Sequence, residues 1–174
     1  RMAGLLGSCG GGDEQTWIAM EPAELARLQE FRHAVPEAVN RLIDLRKRAH
    51  PGITKLSTDM AVPDERLEDV LSMYHGGIQE LGAEHVIFGH VGDNHLHVNL
   101  IPADSGEYES GKRLVAHWAH EVVKMGGTIS AEHGVGKLKR ELLRAMYGEQ
   151  GVREMRAVKD VFDPTGLLGQ GNLF

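Results

Sequence analysis

The apolar positions first become periodic at Glu21. Pro22 suits a first helical turn, and Leu25, Leu28 and Phe31 recur at a spacing of three until Pro36 interrupts them. A second helix is expected to begin at Pro36, with Val39, Leu42 and Leu45 as its apolar stripe. Arg41, Arg46, Lys47 and Arg48 crowd its end, where cations complement the helix dipole. Residues 50–63, HPGITKLSTDMAVP, are broken by Gly and Pro and predict a loop with a strand near Asp59–Val62. Pro63 then opens a strongly periodic helix, with Leu67, Val70, Leu71, Tyr74, Ile78 and Leu81 on one face and Asp64, Glu65, Glu68 and Asp69 in its first turns.

The period changes to two further on. Val86 to Phe88 predict a short strand, Gly89 to Asn94 a turn, and His95 to Ile101 an alternating strand. Alternation puts Leu96, Val98 and Leu100 on one face and His95, His97 and Asn99 on the other, so the hairpin should bury one face and present imidazoles and an amide on the opposite one. A helix over about 107–124, a short strand over 127–130 and two helices, roughly 137–147 and 150–162, precede an irregular glycine-rich tail. Helices and hairpin-linked strands without βαβ regularity argue for an α+β fold, an antiparallel sheet covered by helices.

Composition narrows the function classes. A chain of 174 residues is the length of one domain, and its net charge of -6 leaves no electrostatic footprint for nucleic acid or an anionic membrane surface. The single Cys9 excludes an internal disulfide framework and fits a reducing compartment, so the expected location is cytoplasmic, or peripheral to the inner membrane in a full-length protein. Residues 1–16 hold five glycines and no period and are expected to form a flexible lead-in or a cut linker. The start at Arg1 suggests a piece of something longer.

Ten histidines and 22 glycines exceed ordinary usage, and the excess collects in two segments, GHVGDNHLHVN at 89–99 and GGTISAEHGVGK at 126–137. His90 leaves a glycine-rich turn and His97 follows on the strand beyond it, so their rings can converge. Glu132 and His133 sit at the mouth of a second glycine-rich turn. Two imidazoles and a carboxylate are the ligand set of open catalytic zinc sites and of two-His-one-carboxylate iron sites, yet no HExxH is present and neither segment specifies a metal. Hydrogen-bonded structural histidines and a plain turn before a helix account for the same residues.

The two segments, with MRAVKDVFDP at 155–164, resemble the C-terminal half of FAD-linked oxidases and dehydrogenases acting on D-2-hydroxy acids, a group with D-lactate dehydrogenases, the glycolate oxidase flavoprotein subunit and D-2-hydroxyglutarate dehydrogenase. The resemblance implies that residues 17–174 are a substrate and cap domain, with FAD held mainly by an N-terminal domain absent from this chain. By position it implies that His90, His97 and Glu132 hold a divalent metal (Zn, Mn or Fe), that His133 is the base, that Asn99 hydrogen-bonds the substrate, and that Arg46 and Lys55 contact its carboxylate. For Arg46, a helix-end cation facing water is an equal reading. The expected activity is oxidation of a D-2-hydroxy acid to the 2-oxo acid by hydride transfer to FAD, and the fragment alone is expected to be inactive. The partners implied are the small acid, the flavin domain and an electron acceptor, with a homodimer left open. Where the resembled motif reads GDGN this chain reads GDNH, so Asn94 must take a glycine's backbone and His95 adds an imidazole that disturbs the choice of ligands. Gly169 replaces an asparagine common near the flavin. The rival readings are a stand-alone metal-dependent hydrolase and a non-catalytic module binding a small acid.

Overall fold

The structure is a computed structural model that describes residues 7–8, 10–12, 17–137 and 139–173; Cys9 and most of the expected lead-in lie outside them. The chain divides into two compact units, residues 1–40 and 41–174. In the first, the Trp17 and Phe31 rings stand 5.7 Å apart and the Arg27 guanidinium lies 6.0 Å above Trp17. Helix α1, Pro22–Lys47, contains Pro36 without interruption, so the second helix expected to begin there is the continuation of the first. Proline removes one N–H from the ladder, and the Leu, Glu, Gln, Arg and Ala around it are strong enough helix formers to carry the helix through.

In the second unit follow β1 Leu56–Ser57, β2 Met60–Ala61, α2 Leu67–Leu81, β3 His85–His90, β4 His95–Leu100, α3 Ser105–Lys124 and α4 Arg140–Phe162. The architecture is α+β, an open antiparallel sheet with helices, as the periodicities predict. Gly148, at φ 68°, breaks α4 into the two helices expected from the sequence. Strand β4 lies at the centre. It pairs along one edge with all of β3, and along the other with β1 and β2 in one continuous register, Leu56 opposite Leu100 and Met60 opposite Leu96. Thr58 and Asp59 occupy the gap between β1 and β2, where the Thr58 hydroxyl stands in for the ladder: it accepts the Val98 N–H at 2.9 Å and donates to the Leu96 carbonyl at 3.1 Å. The strand expected at 127–130 is reduced to one bridge, Thr128 with Ala61.

One face of the sheet is apolar. Leu96, Val98 and Leu100 pack with Val70, Tyr74 and Ile78 of α2 and with Trp118, Ala119 and Val122 of α3. The Tyr74 and Trp118 rings meet edge to face at 4.9 Å, and burying each such side chain contributes about 1.5–3 kcal/mol. Gly77 brings α2 this close to α3, since a Cβ there would lie 2.8 Å from Leu114 and 3.0 Å from the Trp118 indole nitrogen. Among the described residues, no helix is long and apolar enough to cross a membrane.

The other face departs from expectation. It is not presented to solvent: His95, His97 and Asn99 are 4%, 6% and 1% exposed. The hairpin that carries it closes tightly because residue 89 is glycine, where a Cβ would come 2.3 Å from the His95 carbonyl oxygen. A single 3-10 turn, Val91–Asp93, ends at Asn94, which adopts the left-handed conformation at φ 49° that its position demands, with its amide donating to Asp64 at 2.5 Å.

Candidate active site

The buried polar face gathers side chains from three directions. Register places Phe88 beside His97 and His90 beside His95, while alternation along the opposite edge turns Asp59 to the same side because Met60 enters the core. The chain returns at Thr128, and the Ala131 N–H donates to the Asp59 carbonyl at 2.9 Å, which brings Glu132 and His133 onto the imidazoles.

Glu132 is the centre. Its Oε1 lies 2.9 Å from His97 Nε2 and 3.1 Å from His133 Nε2, and its Oε2 lies 3.6 Å from His90 Nε2. The His97 and His133 rings stack at 5.1 Å, His90 and His95 at 5.8 Å, and His95 meets His97 edge to face at 4.4 Å. Burial works against charge on Glu132, but the His97 hydrogen bond and the neighbouring imidazoles hold its carboxyl below the usual range. His95 is lowered as well, first by burial and then by the charge of His97, which for an imidazole favours the neutral form.

Asp59, 3% exposed, holds the turn in place. Its carboxylate accepts the Glu132 N–H at 3.2 Å, the His133 N–H at 3.1 Å, the Ser130 hydroxyl at 3.1 Å and the Lys139 ammonium at 2.8 Å. Burial alone would raise its pKa, yet Lys139 and the two backbone donors outweigh that and bring it down to about 2. Sequence reasoning passed over Asp59, Thr58 and Lys139; the available signal was an aspartate directly ahead of the apolar strand residues Met60, Ala61 and Val62.

The residues present fit a divalent cation. His97 Nδ1 donates to the Thr58 carbonyl at 3.0 Å, so the lone pair of the neutral ring is at Nε2 and points at a carboxylate oxygen 2.9 Å away. Two acceptors at that distance repel, and a positive charge belongs between them, either a second ring proton or a metal ion. A metal-binding imidazole usually has its other nitrogen tied to a carbonyl in this way. Asp59, His95, His97 and Glu132 each offer a ligand atom within 4.8 Å of the others.

Of the residues singled out in the sequence, His90, His97, Glu132 and His133 come together. Asn99 lies on the same face, and its buried Nδ2 has no hydrogen-bond partner among the described residues. Arg46 and Lys55 are not brought to the cluster. The Arg46 guanidinium binds Glu84 and the Ile101 carbonyl, beyond the far end of β4, and Lys55 is exposed just ahead of β1, which pairs with that same end. A cleft of about 320 Å³ opens beside the turn, bordered by Ser57, Asp59, His133, Lys137 and Lys139.

An antiparallel sheet under helices, with a carboxylate and imidazoles packed on its other face, defines an α+β domain with a polar cluster on one side of its sheet. The chain belongs to the family of FAD linked oxidases, C-terminal domain, whose family model matches residues 1–173. It is 43% identical over 95 residues to D-2-hydroxyglutarate dehydrogenase of Stutzerimonas stutzeri (strain A1501), covering 52% of this chain and 20% of that protein. It is 29% identical to glycolate oxidase subunit GlcD of Bacillus subtilis (strain 168), over 87% of this chain and 32% of that protein. It is 30% identical to a probable mitochondrial D-lactate dehydrogenase of Danio rerio, over 94% and 32%. The chain thus spans about a third or less of the length of these relatives.

Proposed function

We propose that this chain is the substrate-side domain of an FAD-dependent enzyme that oxidises a D-2-hydroxy acid to its 2-oxo acid. The observation that carries the reading is the convergence of His97 and His133 on one Glu132 oxygen, with the other His97 nitrogen tied to the Thr58 carbonyl. The names of the three relatives support the substrate class, since each is a dehydrogenase or oxidase of a 2-hydroxy acid.

His90, His97 and Glu132 would hold the divalent cation, which when bound supplies a Lewis acid that makes a substrate hydroxyl easier to deprotonate. FAD, when present, supplies the acceptor for the hydride, and no residue of this chain is given a part in holding it. His133 is the base: its imidazole is 61% exposed, borders the cleft and takes the hydroxyl proton at a ring nitrogen. Asn99 offers its unpartnered amide N–H to a substrate oxygen, which would relieve a buried donor. For the substrate carboxylate the cleft itself provides Lys137, because Lys139 is engaged by Asp59; Arg46 and Lys55, the residues expected to grip it, would have to act from the other end of β4.

In the flavoprotein that this reading requires, D-lactate, glycolate or D-2-hydroxyglutarate should bleach the flavin. His133→Ala should slow the bleaching by a factor on the order of 10²–10⁴ while metal content stays normal. Bleaching at an unchanged rate would remove His133 from the mechanism.

A further inference from the structure

We propose that His95 is itself a ligand of the cation, while Asp59, whose carboxylate lies in the same group of four, is not. The inference rests on the cation site of the preceding reading and decides which side chains form it. Asp59 is already heavily committed, with three donors on Oδ2 and the Glu132 N–H on Oδ1. Both of its oxygens accept protein donors, four in all, and one of these is an ammonium that balances its charge. Coordination through Oδ2 would compete with three donors, one of them the His133 N–H, and coordination through Oδ1 with the Glu132 N–H.

His95 is the opposite case. The residue is 4% exposed, and Nε2 makes no well-formed hydrogen bond among the described residues, its nearest polar neighbour there being Asp59 Oδ1 at 3.2 Å. A buried ring nitrogen without a partner is costly, and native structures keep few of them. His95 offers a ring nitrogen within 4.8 Å of the offered atoms of His97 and Glu132, where the same cation can satisfy it. His95 is also where this chain departs from the GDGN pattern it resembles, so the extra imidazole is a property of this chain. Exchanging an amide for an imidazole makes the site richer in nitrogen, which favours Zn²⁺, Co²⁺ or Fe²⁺ over Mg²⁺.

The test uses this chain with Co²⁺, Zn²⁺ and Cd²⁺ as probes. Wild-type protein should bind about one equivalent of Co²⁺ with visible d–d absorption. His95→Asn should weaken Co²⁺ and Zn²⁺ binding on the order of 10–100-fold and change the absorption bands. Because that variant can also fail by misfolding, ring ¹⁵N resonances of the wild-type chain give an independent reading. On adding Cd²⁺ or Zn²⁺, the His95 Nε2 signal should shift together with that of His97 Nε2. Shifts at His90 and His97 with His95 unmoved, or a His95→Asn chain that binds Co²⁺ as wild type does, would overturn the inference and leave the cation site standing. No binding of any of the three ions would overturn the cation site and this inference together.

Discussion

Two buried aspartates organise two loops of this chain with the same kind of chemistry. Asp59 takes one lysine, one hydroxyl and two consecutive backbone N–H groups, those of Glu132 and His133. Asp163 takes Lys159 and the consecutive N–H groups of Leu167 and Leu168, at 2.8 and 2.9 Å. Each carboxyl is pulled below its usual range, Asp59 by its donors against the effect of burial, and Asp163 first by Lys159 and then by the Leu168 N–H. They differ in reach. Asp163 grips residues four and five positions away, whereas Asp59 grips residues 73 and 74 positions away. A local clasp shapes one stretch of chain. The distant one joins the sheet edge to the turn that carries Glu132 and His133, so everything placed by that turn depends on it.

The comparison can be broken most directly at Asp59. Asp59→Ala should cost about 3–5 kcal/mol in chemical denaturation, because it leaves a partly buried ammonium and two N–H groups without their carboxylate. It should also shift the ring signals of His97 and His133. Asp163→Ala should cost less, about 1–3 kcal/mol, with spectral changes confined to the tail and the end of α4. Equal losses, or imidazole signals that move in both variants, would erase the distinction. The smallest effect concerns acid. A carboxyl whose pKa is lowered by folding adds stability above its unfolded value and loses it as pH falls through the folded value. Proteolysis of the tail should therefore quicken as pH drops below the ordinary carboxylate range, and Asp163→Asn should make the rate independent of pH there.

Of the clasp at Asp163 the sequence showed the setting, the end of a helix and an irregular glycine-rich tail; of the one at Asp59 it showed only a loop with a short strand. FDPTGLL sits at the end of a helical period and before two glycines, so the helix end and the irregular tail follow from residues in one window. The helices of the apolar layer were legible for the same reason, down to the break at Gly148, where the pattern of Leu142, Leu143 and Met146 stops. Pro36 misled because proline's lost hydrogen bond is a local signal that the surrounding helix formers outweigh. Alternation showed that His95, His97 and Asn99 share a face. It could not show that Asp59, Glu132 and His133 close over it, since this depends on β2 lying beside β4 and on the chain returning at Thr128.

The hydrogen bonds from Glu132 and His133 to Asp59 also bear on when the site exists during folding. Contacts across more than seventy positions need the sheet edge and the returning segment both in place, so the turn is expected to assemble late in its unit. Its two amide protons can then escape into solvent only when those distant pieces separate. Their exchange with deuterium should therefore read the opening of the sheet edge, so that a turn on an exposed surface keeps time with a motion of the sheet.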